Sequence, residues 1–160
     1  MFREMRRKNQ QLPNEECITI LKQCTSGTLA LHGDNAYPYT IPMSYVYHDG
    51  KIYFHSALTG HKIDAVNRNN KASFCVIFKD DIVPEKFTTG FQSVIVFGKI
   101  RIIDNSNEKR KAIELLAEKY SPGIDSENEI NSAFDRMHML ELDIEHMSGK
   151  EGIELTKMRN

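Results

Sequence analysis

The sequence has no apolar run approaching the ~18 residues a membrane-crossing helix needs. Its first residues also lack the apolar core and small-residue cleavage pattern of a signal peptide. Both absences lead to the expectation of a cytoplasmic protein that neither crosses nor binds a membrane. Net charge is nearly absent too. The 21 basic and 22 acidic side chains leave −1, so no overall field of one sign draws the chain to nucleic acid or to an anionic membrane. Cysteine is scarce, and Cys17, Cys24 and Cys75 are odd in number with no C-x-x-C among them, which fits reduced, half-buried thiols better than a disulfide framework. There is no H-E-x-x-H for zinc and no G-x-G-x-x-G for a dinucleotide fold.

What is present suits one compact domain over residues 1–160, with 40% apolar side chains. Residues 1–12 read as an arm whose basic run, Arg3-Glu4-Met5-Arg6-Arg7-Lys8, is either solvated or a subunit or ligand contact, and 152–160 read as a loose tail. A helix is predicted after Pro13, with Cys17, Ile20, Leu21 and Cys24 at i, i+3, i+4 and i+7. Strands are predicted over 28–32, 37–47, 51–56, 72–79, 93–103 and 137–145, the first three as an antiparallel meander joined by Gly33-Asp34-Asn35 and Asp49-Gly50. His138, Leu140, Leu142 and Ile144 share one face of the last strand, and Gly98 marks a bulge or bend that lets the sheet curl. Between strands fall a short crossover helix over 60–69, an irregular piece over 80–90, and a helix from Asn105 or Ser106 with a stripe of Ile113, Leu116, Ala117 and Tyr120. A polar connection follows, running through Glu129. Six strands with antiparallel turns predict a closed or nearly closed barrel.

The segment F-H-S-A-L-T-G-H-K-I-D-A-V, 54–66, concentrates polar chemistry where a strand gives way to a helix. His55 and His61 lack the further ligands of a metal site. A phosphate needs free N–H groups at a helix start, a small hydroxyl and a cation, and Ser56, Thr59, Gly60, Lys62 and either histidine can supply them. A merely satisfied polar turn has the same composition, so both readings stay open. His32, His48 and His138 read as structural histidines.

The order of F-R-E-M-R-R, P-Y-T-I-P-M-S-Y-V-Y, K-I-Y-F-H-S-A-L-T-G-H-K, P-E-K-F-T-T-G-F-Q-S-V-I-V-F-G-K and S-G-K-E resembles the FMN-binding split-barrel proteins, pyridoxamine 5′-phosphate oxidase-like, in their 5-nitroimidazole-resistance branch. The resemblance implies a mainly β fold, a six-stranded antiparallel split β-barrel with flanking helices. It also implies a homodimer with FMN at the subunit interface. Carried onto this sequence, His55, Ser56, Ala57 and Lys62 would hold the phosphate with Gly60 and His61 alongside. Pro42, Met43, Ser44 and Tyr45 would run beside the ring and ribityl chain, and Ser93 and Val94 would meet the polar edge of the ring, partly through backbone groups. Arg6, Arg7 and Lys150 would complete the site from the other subunit. The oxidase proper has a C-terminal signature bearing tryptophan and arginine, whereas this chain has no tryptophan and ends K-M-R-N, which argues against vitamin B6 oxidation. The implied activity is a flavoprotein oxidoreductase that takes electrons from a reduced nicotinamide or another donor and reduces a small acceptor, a nitroaromatic being one candidate. The rival is a non-enzymatic flavin- or haem-binding module. Deazaflavin and haem are less favoured cofactors.

Overall fold

The computed structural model describes residues 1–159. Helix α1 (Asn14–Gln23) starts directly after Pro13, carries Glu15 and Glu16 in its first turn where the helix dipole favours them, and buries Cys17, Ile20 and Leu21. The strands are β1 (Gln11–Leu12), β2 (Ser26–His32), β3 (Pro38–Ser44), β4 (Val46–His48), β5 (Lys51–Ser56), β6 (Lys71–Val83), β7 (Thr88–Ile102) and β8 (His138–Glu151). They form one antiparallel sheet in the order β3-β2-β6-β7-β8-β5-β4, with β1 on β8. The two end strands, β3 and β4, are consecutive in sequence and separated only by Tyr45. The sheet must therefore curl around its core, yet among the described residues no ladder joins its ends, and they form a split barrel with eight strands rather than six.

The expected continuous strand 37–47 breaks at Tyr45 because that residue turns inward. Its side chain is fully buried and its hydroxyl donates to the Leu21 carbonyl at 2.6 Å. Its ring meets Phe74 edge-on at 4.8 Å, and Phe54 meets Phe74 likewise at 5.2 Å. Burying a ring such as Phe54 contributes roughly 1.5–3 kcal/mol. The curl itself is relieved at Gly98, where Phe97 faces His146 but Gly98 faces Ile144, so β8 carries an extra residue. A Cβ on Gly98 would lie 2.0 Å from the Asp143 carbonyl oxygen.

Four further expectations are corrected. The stretch 80–90 is not irregular but the end of a long hairpin: Val83 pairs with Thr88 around a 3₁₀ turn, Pro84–Lys86, followed by Phe87 in the left-handed region. β-branched residues on both sides outweigh the proline, which sits at the tip where it interrupts no ladder. The polar connection contains α4 (Glu127–Ala133), anchored by buried Ile130. Strand β8 is buried on both faces over Met139, Leu140, Glu141 and Leu142, since α3 (Ser106–Tyr120) and α4 cover the side away from the barrel core. The tail forms α5 (Ile153–Met158), and Arg159 pairs with Glu16 at 2.6 Å and Glu151 at 2.8 Å. No helix among the described residues is long and apolar enough to cross a membrane.

Candidate functional site

After β5 the chain passes through the exposed residues Ala57, Leu58 and Thr59 to Gly60, whose φ of 130° and ψ of 175° belong to a region that only glycine occupies readily. Helix α2 (His61–Arg68) begins there and docks through Ile63, Ala65 and Val66. No side chain caps it, and its first intrahelical donor is the Asp64 N–H, 3.0 Å from the Gly60 carbonyl. The amides of His61, Lys62 and Ile63 therefore have no partner within the helix. The half-buried Lys62 directs its ammonium to within 3.4 Å of the Met43 thioether, and burial pulls its pKa below the ordinary lysine value. A thioether is a weak partner for a cation. The structure thus brings Met43 of β3 against Lys62, 19 positions further along the sequence. His61 is committed elsewhere: its ring stacks on Tyr39 at 3.9 Å and its Nε2 accepts the Asp34 N–H at 3.3 Å.

Strand alternation separates two neighbours that the motif groups. Ser56 is buried on the face of β5 that also carries Ile52 and Phe54, whereas His55 points to the opposite, exposed side. There His55 and Ser44 line a cavity of about 300 Å³ whose remaining wall is Ile113, Leu116, Ala117 and Tyr120. Helix α3 is fixed against this end of β3 by its last turn. The Tyr45 N–H donates to the Tyr120 hydroxyl at 2.9 Å, that hydroxyl donates to the Thr25 carbonyl at 2.5 Å, and Lys119 donates to the Cys24 carbonyl at 2.5 Å. The Lys119 ammonium also sits 3.9 Å from the centre of the Tyr45 ring. Tyr45 is thus an anchor of the strand. Burial pushes its phenol well above the ordinary range.

Pro42 is exposed on β3, opposite Thr28. Ser93 and Val94 lie elsewhere. Val94 is fully buried, and Ser93 pairs with Lys150 of β8 while His55 pairs with Met139 of the same strand. Met139 and Lys150 are eleven positions apart along β8, a contour of about 36 Å. The arm belongs to this second end: Arg7 Nη1 donates to Gln10 Oε1 at 3.4 Å, Gln10 Nε2 donates to the Glu151 carbonyl at 2.8 Å, and Phe2 stacks on His146 at 4.7 Å.

Reading the sequence as a core stripe missed the contribution of Ile113, Leu116, Ala117 and Tyr120 to a cavity wall. Spacing alone carries no sign of which part of an apolar helical face will meet a void. A second cavity, about 630 Å³, lies between α3 and β4, β5 and the ends of β7 and β8. Its buried Glu141 accepts from Lys51 at 3.1 Å and from Arg101 Nε at 3.0 Å, and Arg101 also reaches Glu108 at 2.8 Å.

The sequence profile of the pyridoxamine 5′-phosphate oxidase family matches residues 13–151. No curated protein matches. Among solved structures, the chain is similar to a candidate 5-nitroimidazole antibiotic resistance protein from Bacteroides thetaiotaomicron, with 22% identity, 88% of this chain and 86% of that one covered, and a TM-score of 0.78. It is also similar to a FAD-binding protein from Mesorhizobium loti, with 23% identity, 89% and 97% covered, and a TM-score of 0.68. A FAD and haem binding protein from Mycobacterium smegmatis matches with 18% identity, 89% and 73% covered, and a TM-score of 0.75. At these identities the likeness is one of fold.

Proposed function

Because the chain belongs to the pyridoxamine 5′-phosphate oxidase family, we propose that it is an FMN-dependent oxidoreductase that reduces a small acceptor. The observation that carries this reading is the uncapped start of α2, where open space at Gly60 meets first-turn amides and a half-buried lysine with only a thioether beside it. A phosphate with nearly two negative charges suits that donor set: the amides and the helix dipole attract it, and Lys62 adds a charge-assisted bond. Bound FMN would supply the two-electron chemistry. The chain's own residues position it. Lys62 and the amides hold the phosphate, Pro42, Met43 and Ser44 give the ring a strand to lie along, and His55 offers an N–H donor near the strand end.

We further propose that the active form is a homodimer. Ser93, Lys150 and the arm lie at the far end of β8 from the phosphate turn, so they join the same site only when contributed by a second copy. Exposed Ile77, Ile95 and Phe97 on β6 and β7 offer an apolar surface for that contact. A mass of one chain in light scattering, with flavin bound, overturns the dimer.

The absorption spectrum of the purified protein, followed by chromatography of the released cofactor, tests the cofactor reading. Flavin bands and released FMN support it. Released FAD, a haem Soret band or no chromophore overturns the assignment of FMN. Anaerobic bleaching of the flavin by a reduced nicotinamide separates an enzyme from a binding module. If no donor bleaches it, the oxidoreductase reading falls.

A further inference from the structure

We infer that Arg159, acting through the buried carboxylate of Glu151, is a positioning residue for the end of the sheet that one copy of the chain offers to the flavin of another. The inference rests on the proposed function, in which Ser93 and Lys150 serve a site whose phosphate turn belongs to a second copy. Register carries it. Gln92 pairs with Glu151 and Ser93 with Lys150, so each residue assigned to the flavin is the chain neighbour of one that faces the other side of the sheet. Gln92 and Glu151 are buried on that other side, while Ser93 and Lys150 remain partly exposed.

Glu151 is 2% exposed and gathers this end of the molecule around it. Its carboxylate accepts from Gln92 Nε2 at 3.2 Å, from the Thr156 hydroxyl at 3.2 Å and from Arg159 Nε at 2.8 Å, and its carbonyl accepts from Gln10 Nε2 at 2.8 Å. Among the described residues, Arg159 is its one cationic partner. The same guanidinium holds Glu16 of α1 through both Nη atoms, at 2.7 and 2.6 Å, so one side chain ties α1, the tail and the last residue of β8 together. A carboxylate buried this deeply is costly as an ion unless a cation serves it, because neutral donors replace its water incompletely. Without Arg159, Glu151 gains most by turning toward water. Standing at the very end of β8, it can do so by lifting that end away from Gln92, and the Ser93–Lys150 pair moves with it. Arg159 thus governs the two flavin-facing positions without touching the cofactor.

Fluorescence titrations of apoprotein with FMN and with riboflavin test this on wild type, Arg159→Met, Arg159→Lys and Glu16→Ala, each beside a urea melt. Arg159→Met should weaken both flavins about tenfold, since the contacts disturbed are to the ring and not to the phosphate. The absorption band of the flavin it still binds at saturation should move toward that of free flavin. Arg159→Lys gives up the fork on Glu16 but keeps a point charge for Glu151, and should bind both flavins within about threefold of wild type. Glu16→Ala frees only the α1 side of Arg159, so it should lower the urea midpoint while both affinities stay within about twofold. Affinities that fall in step with stability across all three variants overturn the positioning role and leave a structural tie. Wild-type affinity and spectrum in Arg159→Met overturn it as well, and so does a loss confined to FMN, which would set the effect at the phosphate. Wild type that binds neither flavin overturns the proposed function itself, on which the inference stands.

Discussion

In the cavity of about 630 Å³ beside α3, Glu141 is buried and yet fully served: Arg101 and Lys51 both donate to it, and Arg101 is shared with Glu108. Burial alone would raise the Glu141 pKa, but those bonds outweigh it and hold the carboxyl below the ordinary glutamate range, while the same pairing raises Lys51. The turn before α2 is the reverse. Lys62 is half-buried against a thioether, its pKa falls through burial, and the helix start beside it has no cap. The cavity beside α3 is a finished structural network and the polar corner at the start of α2 is unfinished. Groups left with weak partners in the fold are the ones that the proposed function assigns to the phosphate. Volume alone would select the other region.

The largest expected effect lies in the finished region. Arg101→Met leaves a buried carboxylate with Lys51 as its remaining cationic partner. It should cost about 3 kcal/mol of unfolding free energy, the low end for a broken buried pair, because Lys51 remains and Arg101 is partly exposed. The sign with pH follows from the lowered Glu141 pKa. Its pairing stabilises the fold above the unfolded value of 4.5 and is lost as pH falls through the still lower folded value, so the gap between wild type and variant should narrow in acid. Urea melts at neutral and acid pH check this. Flavin content should not change, and if it falls with stability intact, the network is part of the binding site.

Lys62→Met makes the opposite trade. FMN affinity should fall about ten- to hundred-fold, the worth of one charge-assisted bond of roughly 1.5–3 kcal/mol, while riboflavin, which lacks the phosphate, should be indifferent. The apoprotein should melt no lower than wild type, since a desolvated cation has been removed. Wild-type apoprotein should also gain stability as pH rises through the depressed Lys62 pKa toward 10.5, a gain the variant lacks. Equal losses for FMN and riboflavin would mean that Lys62 supports the ring or the local fold.

Much of the frame was legible because it is written in local patterns. The α1 stripe, the Gly98 irregularity and the strand-to-helix turn at 56–62 all follow from side-chain period or glycine chemistry. What was hidden depends on long-range partners. The break at Tyr45 requires Leu21, Phe74 and Tyr120, none nearby in sequence, to outweigh a continuous β-branched and aromatic run. Glu141 reads as a solvent-facing position of an alternating strand until α3 covers that side. The separation of His55 from Ser56 follows from strand period two, but a motif read as one unit conceals it. Helix α5 was obscured by a polar tail whose order rests on Arg159 reaching Glu16 and Glu151.

Tyr120→Phe examines a residue placed between the two regions. Its hydroxyl finishes the Tyr45 amide and the Thr25 carbonyl, so its loss should cost about 1 kcal/mol in thermal or urea unfolding, moderated because water reaches this partly exposed end of α3. FMN affinity should change little if the latch only holds strand β3 in place. A tenfold loss of FMN affinity with that modest destabilisation would show that finished bonds also tune the binding half.

The smallest effect is expected at His61, and it decides where the unfinished region ends. By sequence His61 stands next to Lys62 at the helix start. In the fold its Nε2 is already engaged by the Asp34 N–H, and its ring lies on Tyr39 with an interplanar angle of 14°. Asp34 is in turn held by Arg68 at 2.7 Å, so the histidine belongs to a brace between α2 and the β2–β3 turn. His61→Phe keeps the stack and removes the exposed hydrogen bond along with the 3.7 Å approach of Nε2 to the Asp34 carboxylate, which together should cost about 0.5 kcal/mol, the low end for such a bond. FMN affinity should stay within about twofold of wild type, since neither Lys62 nor the first-turn amides are touched. The check is the same pair of FMN and riboflavin titrations used for Lys62, run beside a urea melt. A selective tenfold loss of FMN would mean that the free Nδ1 edge of His61 reaches the phosphate, and the unfinished region would then extend to include it.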